Sequence, residues 1–145
     1  MKLVIGSDHG GFELKEAIKK HLIDAGHDVL DVGTDSKAST SYAIYGRLAA
    51  EKVADGTCER GIVICGTGIG ISIAANKQPG IRCALCTNAF MAEMARRHNN
   101  ANMLALGARV IAAPHAMMLV DIFLTEPFEG GRHQKRIEQI EANED

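Results

Sequence analysis

Apolar residues follow two rhythms along this chain. Short runs that are apolar almost throughout, at 2–7 (KLVIGS), 60–65 (RGIVIC), 81–86 (IRCALC) and 102–107 (NMLALG), read as strands, several of them buried on both faces. Between them the spacing changes: Leu14, Ile18, Leu22 and Ala25 form one helical stripe, and Tyr45, Leu48, Ala49 and Val53 form another. Gly26 closes the first helix, HDVLDVG at 27–33 is a second strand, and polar DSKAST at 35–40 leads into the second helix. Further helices are expected at 69–77, 88–97 and 115–124, with a basic one starting near Arg132. Strands that alternate with helices predict an α/β fold with a five-stranded parallel sheet covered on both faces.

The composition fits this picture. A chain of 145 residues, 46% hydrophobic, suits one domain over 1–145, long enough to bury roughly two thirds of its unfolded surface. A net charge of -2 with interleaved signs gives no field for nucleic acid or an anionic membrane. MKLVIGSD is too short for a signal peptide core, and no run approaches the roughly 20 apolar residues of a membrane span. Four cysteines without an export signal point to reduced thiols and a cytoplasmic protein. Only the terminal EANED looks frayed.

In a parallel sheet of this kind ligands bind beyond the carboxyl ends of the strands. That rule selects Asp8 and His9 after strand one, Gly33 after strand two, Cys65 to Gly70 after strand three and Thr87 after strand four, with His98 and Asn99 ending the helix before strand five. Many of these groups are expected to face one crevice. Cys65-Gly66-Thr67-Gly68-Ile69-Gly70 is a strand, a tight loop and a helix start, whose free amides and helix dipole make an anion site. Ile71 breaks the G-x-G-x-x-G fingerprint and no Gly-Lys-Ser/Thr follows, so neither a dinucleotide nor a Walker loop fits. A glycine turn can serve packing alone, and a free cysteine is commonly a small buried hydrophobe. A thiol at a strand's carboxyl end and a helix's amino end, however, is placed to ionise.

Cys83 and Cys86 form C-x-x-C inside an expected strand, where residues three apart point to opposite faces, so core packing outweighs a redox or zinc pair. Asp8 can cap the following helix or act beside His9. His98 stands with Asn99 and Asn102, a titratable ring beside amides suited to hydroxyls. In GGRHQKR, Arg132 and Arg136 lie one helical turn apart with His133 and Lys135 beside them; they form either a solvated basic face or a fork for a phosphate. Arg109 adds a cation after strand five. The set suits a phosphorylated polyol.

SDHGGFELK, CGTGIGISIAANK, GIR, HNNANMLALGARV and EGGRHQKR resemble, in order and spacing over essentially the whole chain, the type B ribose-5-phosphate isomerases and their sugar-phosphate isomerase relatives. The resemblance implies a Rossmann-like three-layer sandwich. It also implies a homodimer or dimer of dimers with active sites between subunits, and interconversion of ribose 5-phosphate and ribulose 5-phosphate in the pentose phosphate route without metal or cofactor. On it, Cys65 is the base, Thr67 and the amides of Gly66, Gly68, Ile69 and Gly70 hold the developing oxyanion, and His98 with Asp8 opens the furanose ring. Asn99 binds hydroxyls, Tyr42 packs against the sugar or closes the site, His9, Arg109, Arg132 and Arg136 take the phosphate, some of them from the neighbouring subunit, and His133 also binds substrate. The family usually carries Asp-Tyr-Pro where this chain has Ser41-Tyr42-Ala43, then Ile44, which keeps six-carbon sugar phosphates such as allose or galactose 6-phosphate open as alternatives. A non-catalytic sugar-phosphate-binding module also stays open.

Overall fold

The computed structural model describes residues 1–142. In chain order the elements are β1 (Lys2–Ser7), a short 3-10 turn (His9–Gly11), α1 (Phe12–Asp24), β2 (Asp28–Asp31), α2 (Tyr42–Ala54), β3 (Arg60–Cys65), α3 (Ile69–Asn76), β4 (Cys83–Leu85), α4 (Ala89–Arg97), β5 (Met103–Gly107), α5 (Ala113–Thr125) and α6 (Arg132–Glu141). The five strands form one parallel sheet in the order β2-β1-β3-β5-β4. The expected α/β sandwich is therefore present.

Strand alternation sorts the core into two layers. Leu3, Ile5, Ile62, Ile64, Leu104 and Leu106 face the stripes of α1 and α5 and the alanines of α4. Val4, Val63, Cys65, Met103 and Ala105 face α2 and α3. Cys83 packs in the second layer and Cys86 in the first, so the C-x-x-C sulfurs lie on opposite faces of the sheet. Burial pushes the Cys86 thiol up to about 11, and burial with a smaller push from Cys86 raises Cys83 higher still, which keeps both protonated and inert. Cys58 is likewise buried, with its thiol raised mainly by desolvation.

Several expected boundaries shift: the strand expected over 27–33 shortens to Asp28–Asp31, and the helix expected over 115–124 extends to Ala113–Thr125. The strand expected over 81–86 shortens to Cys83–Leu85 at the sheet edge. The outward amide and carbonyl of Cys83 bond the Asn76 side chain at 2.7 and 2.9 Å, which seals this edge against further pairing. Glu141, expected to fray, ends α6 in an ion pair with Arg82, whereas 143–145 of EANED lie outside the described residues.

Lys15 breaks the usual rule for its type, being completely buried under α1. Its ammonium bonds Asp31 at 2.5 Å and Glu16 at 2.9 Å, and Asp31 also accepts from Lys19 and from the Gly33 amide. Burial pulls the Asp31 carboxyl upward, but the two lysines and the amide outweigh it and hold the group below its ordinary value. This network fastens the end of β2, and Gly33 and Thr34 then exchange backbone bonds with Ser7 at 2.8 Å, directly below Asp8.

Among the described residues, no helix is long and apolar enough to cross a membrane.

Candidate active site

The chain leaves β1 toward β2 on one side and β3 on the other, which opens a crevice at the carboxyl ends of β1 and β3. Cys65 ends β3 on its floor, 5% exposed. Its Sγ accepts a hydrogen bond from the Gly68 amide at 3.1 Å. Gly68 has φ +80°, and a Cβ there would overlap Leu85 and lie 2.9 Å from the Leu106 carbonyl carbon. Only glycine lets the loop turn this tightly against β5. Thr67 is exposed, and its Oγ1 accepts from the Ile69 amide at 3.2 Å, holding the loop in register with α3. The next first-turn amides, those of Gly70 and Ile71, have no partner within the helix and carry its positive end. Tyr42, at the start of α2, lays its ring against Gly70, where any side chain would collide with it.

The remaining groups at this end are cationic or capping. The Asp8 carboxylate accepts from the Gly11 amide at 3.1 Å, so the plain capping reading of Asp8 holds. His9 Nδ1 accepts from the Thr40 amide at 3.2 Å, which puts the proton of the neutral ring on Nε2, free to donate. Arg109 leaves β5 with its amide bonded to the Gly66 carbonyl at 2.9 Å, and its guanidinium lies over Gly66 and Gly10. His9, Gly10, Glu13, Lys37 and Arg109 line a cavity of about 220 Å³, with Lys37 paired to Glu13. Ser41, in place of the family's aspartate, caps α2 by accepting from the Ala43 amide at 3.2 Å.

His98 and Asn99 lie elsewhere. Helix α4 starts beyond the carboxyl end of β4 and runs back to the amino end of β5, and its nine residues cover roughly 13 Å. His98 at its end therefore stands at the amino ends of the strands, away from Cys65 and Asp8. One crevice in one chain does not unite the expected residues, because the helix that carries His98 must reverse direction before β5 can run parallel.

A second cluster forms there. The His98 and His133 rings stack with centroids 4.1 Å apart and planes 12° apart. Arg132 and Arg136 are exposed on the same first turns of α6. Asn99 lines a cavity of about 540 Å³ with Asn76, Ile81, Arg82, Cys83 and Ile140. That cavity is mostly apolar, and Cys65 is not among the residues that line it.

A model of the family described as Ribose/Galactose Isomerase matches residues 3–140. The chain belongs to this family. It is 48% identical to ribose-5-phosphate isomerase B of Escherichia coli, over 99% of this chain and 96% of the relative. It is 47% identical to the putative sugar phosphate isomerase YwlF of Bacillus subtilis, over 100% and 98%. Among solved structures, ribose-5-phosphate isomerase B of Clostridium thermocellum superposes with a TM-score of 0.97 at 54% identity, over 98% of this chain and 96% of that one. The Mycoplasma genitalium enzyme with bound ribulose-5-phosphate gives 0.95 at 41% identity, over 99% and 95%.

Two residues of this sugar-isomerase chain escaped the sequence reading. Glu129 sits between His98 and His133, its two oxygens 3.8 and 3.9 Å from their Nε2 atoms. Its spacing of four from His133 was visible, but Gly130 and Gly131 intervene and hide any helical register. Lys15 falls beside the apolar stripe of α1 and reads as a solvated cation until Asp31 is placed against it.

Proposed function

We propose that this protein is an aldose-ketose isomerase that interconverts ribose 5-phosphate and ribulose 5-phosphate, with its working site assembled from two copies of the chain. One copy supplies the Cys65 loop with His9 and Arg109; the other supplies His98, Asn99, Arg132, His133 and Arg136. The observation that carries the reading is the Cys65 thiol held 3.1 Å from the Gly68 amide at the mouth of α3, in a chain of this family.

The chemistry follows from the groups. His98 moves a proton between the ring oxygen and the anomeric hydroxyl, releasing the open-chain aldehyde. The Cys65 thiolate then removes the proton on C2, and the electron pair passes through a cis-enediol to O1. Negative charge gathers on O1, where Thr67 and the first-turn amides of α3 stabilise it without reorganising. The thiol returns the proton to C1 while the proton of the O2 hydroxyl passes to O1, so that C2 becomes the carbonyl and O1 a hydroxyl, which gives the ketose. Electrons move only between neighbouring carbons, so no external oxidant or reductant enters. His9 and the arginines hold the phosphate end, by bidentate bonds where an arginine meets two oxygens.

Initial rates on ribose 5-phosphate and allose 6-phosphate test this, with Cys65→Ala alongside. A preference for the five-carbon sugar, and a loss of about 10³-fold in kcat with little change in KM for the variant, supports the reading. A preference for the six-carbon sugar assigns the segment Ser41 to Ile44 to substrate length. A Cys65→Ala protein with undiminished turnover would remove the thiol from the mechanism.

A further inference from the structure

Glu129 plays no part in the isomerisation just described, yet it faces both imidazoles of the amino-end cluster. Its Oε2 is 3.8 Å from His98 Nε2 and its Oε1 3.9 Å from His133 Nε2, and single ligand atoms of all three residues lie within 4.8 Å of one another. Such separations are too long for hydrogen bonds. They come close to the spacing of neighbouring ligands on one ion, since bonds of about 2.0–2.2 Å at tetrahedral angles put the donor atoms roughly 3.4 Å apart. His133 is only 5% exposed, and among the described residues its buried Nε2 has no hydrogen-bond partner. A buried imidazole nitrogen with nothing to bond is a donor aimed at something.

From this geometry we infer that His98, Glu129 and His133 form a binding site for a divalent transition metal ion such as zinc, and that the ion blocks the enzyme by occupying the imidazoles that meet the substrate. Two imidazoles and one carboxylate suit zinc, cobalt or nickel and not magnesium or calcium, which take oxygen ligands. The backbone is set for it: the Glu129 amide bonds the Arg97 carbonyl at 3.0 Å, and the His98 amide bonds Met94 at 2.8 Å. The stacked rings hold their Nε2 lone pairs in nearly parallel planes, so binding turns the His98 ring, 38% exposed, out of the stack toward an ion held by His133 and by Glu129, itself 43% exposed, and leaves an open position for water or phosphate. Arg132 and Arg136 beside His133 repel a cation, which makes this a reversible inhibitory site and not a structural one. The blocking half rests on the isomerase reading; the binding half does not.

The test is calorimetric titration of the chelator-treated full chain with Zn²⁺, repeated with Co²⁺ by visible absorption, on the wild type, Cys65→Ala, Glu129→Gln and His133→Gln. Expected are one ion per chain in the wild type and Cys65→Ala, and a Co²⁺ spectrum without a thiolate charge-transfer band. Affinity falls about tenfold or more in both Glu129→Gln and His133→Gln, and ribose 5-phosphate displaces the ion. Absence of uptake, uptake unchanged in either of those two variants, or uptake lost in Cys65→Ala would overturn the site. Isomerisation is assayed separately in chelator: its absence would sink the functional reading while the titrations still decide the metal site.

Discussion

The two ends of the sheet are built differently. At the carboxyl end every reactive group is fastened by backbone: Cys65 by the Gly68 amide, His9 by Thr40, Asp8 by Gly11, and Arg109 by Gly66. At the amino end the groups are side chains projecting from the end of α4 and the start of α6, touching one another through stacking and a shared carboxylate. A rigid end suits a step in which a proton must move between two adjacent carbons. An end made of long side chains suits gripping a phosphate and a ring. On the reading proposed above each end supplies only part of the site, so the comparison predicts a site made by two chains.

The strongest way to break that comparison is to mix variants. Cys65→Ala and His98→Asn, each alone nearly inactive, are expected to regain activity when co-refolded. In random pairs half are mixed, and each mixed pair has one site with both residues intact, so about a quarter of wild-type turnover returns, a gain of a few hundredfold over either variant. If both residues served one site within one chain, no mixed pair could restore it and the rate would stay at the level of the separate variants.

The fastening of the carboxyl end is tested by Asp31→Asn. Lys15 is fully buried and would keep only the half-exposed Glu16 as its anionic partner, so the loss is about 3 kcal/mol in denaturant unfolding. A loss below about 1 kcal/mol would show that the Lys15 charge is compensated elsewhere. Close behind is Gly68→Ala, expected to cost about 2–3 kcal/mol, because φ +80° is strained for alanine and the new methyl meets both Leu85 and the Leu106 carbonyl. It should also slow turnover more than it weakens substrate binding, since it shifts the amide that faces Cys65.

How much of this was legible in the sequence follows from what each signal depends on. The parallel sheet was readable because strands buried on both faces lose their polar positions, as in GIVIC and MLALG. The opposed faces of Cys83 and Cys86 followed from strand period alone. The position of His98 did not, because a residue ending a helix is carried back across the sheet by that helix's direction, which local spacing does not record. Nor could the insertion of β5 between β3 and β4 be read, since pairing order is a property of the packed sheet. Lys15 and Glu129 were missed for one shared reason: a charge looks solvated until its partner, sixteen residues on for Lys15 and across two glycines for Glu129, is brought against it.

The mildest effect separates the two ends by pH. Burial holds the His133 imidazole below its ordinary value; the neighbouring His98, Arg132 and Arg136 push the same way, and Glu129 opposes them. In the unfolded chain His133 takes up its proton near the usual histidine value of about 6.5, whereas the folded protein resists until the pH is lower. Between those two points the unfolded state binds more protons, so stability falls as pH drops through that window. Asp31 has the same sign at lower pH: its lowered value makes it stabilising above the ordinary carboxylate range, and that contribution is lost as pH falls through its folded value. Thermal melts in chelator should therefore show a shallow decline in Tm just below neutrality and a steeper one in the acid range. His133→Gln should remove the shallow decline and leave the steep one, whereas Asp31→Asn should lessen the steep one, to which the lowered Glu13, Glu16 and Asp55 carboxyls also contribute, and leave the shallow one. Glu129→Gln, by removing the one anion that favours the charged ring, should deepen the shallow decline. A shallow decline that survives His133→Gln would place the titrating group outside the amino-end cluster.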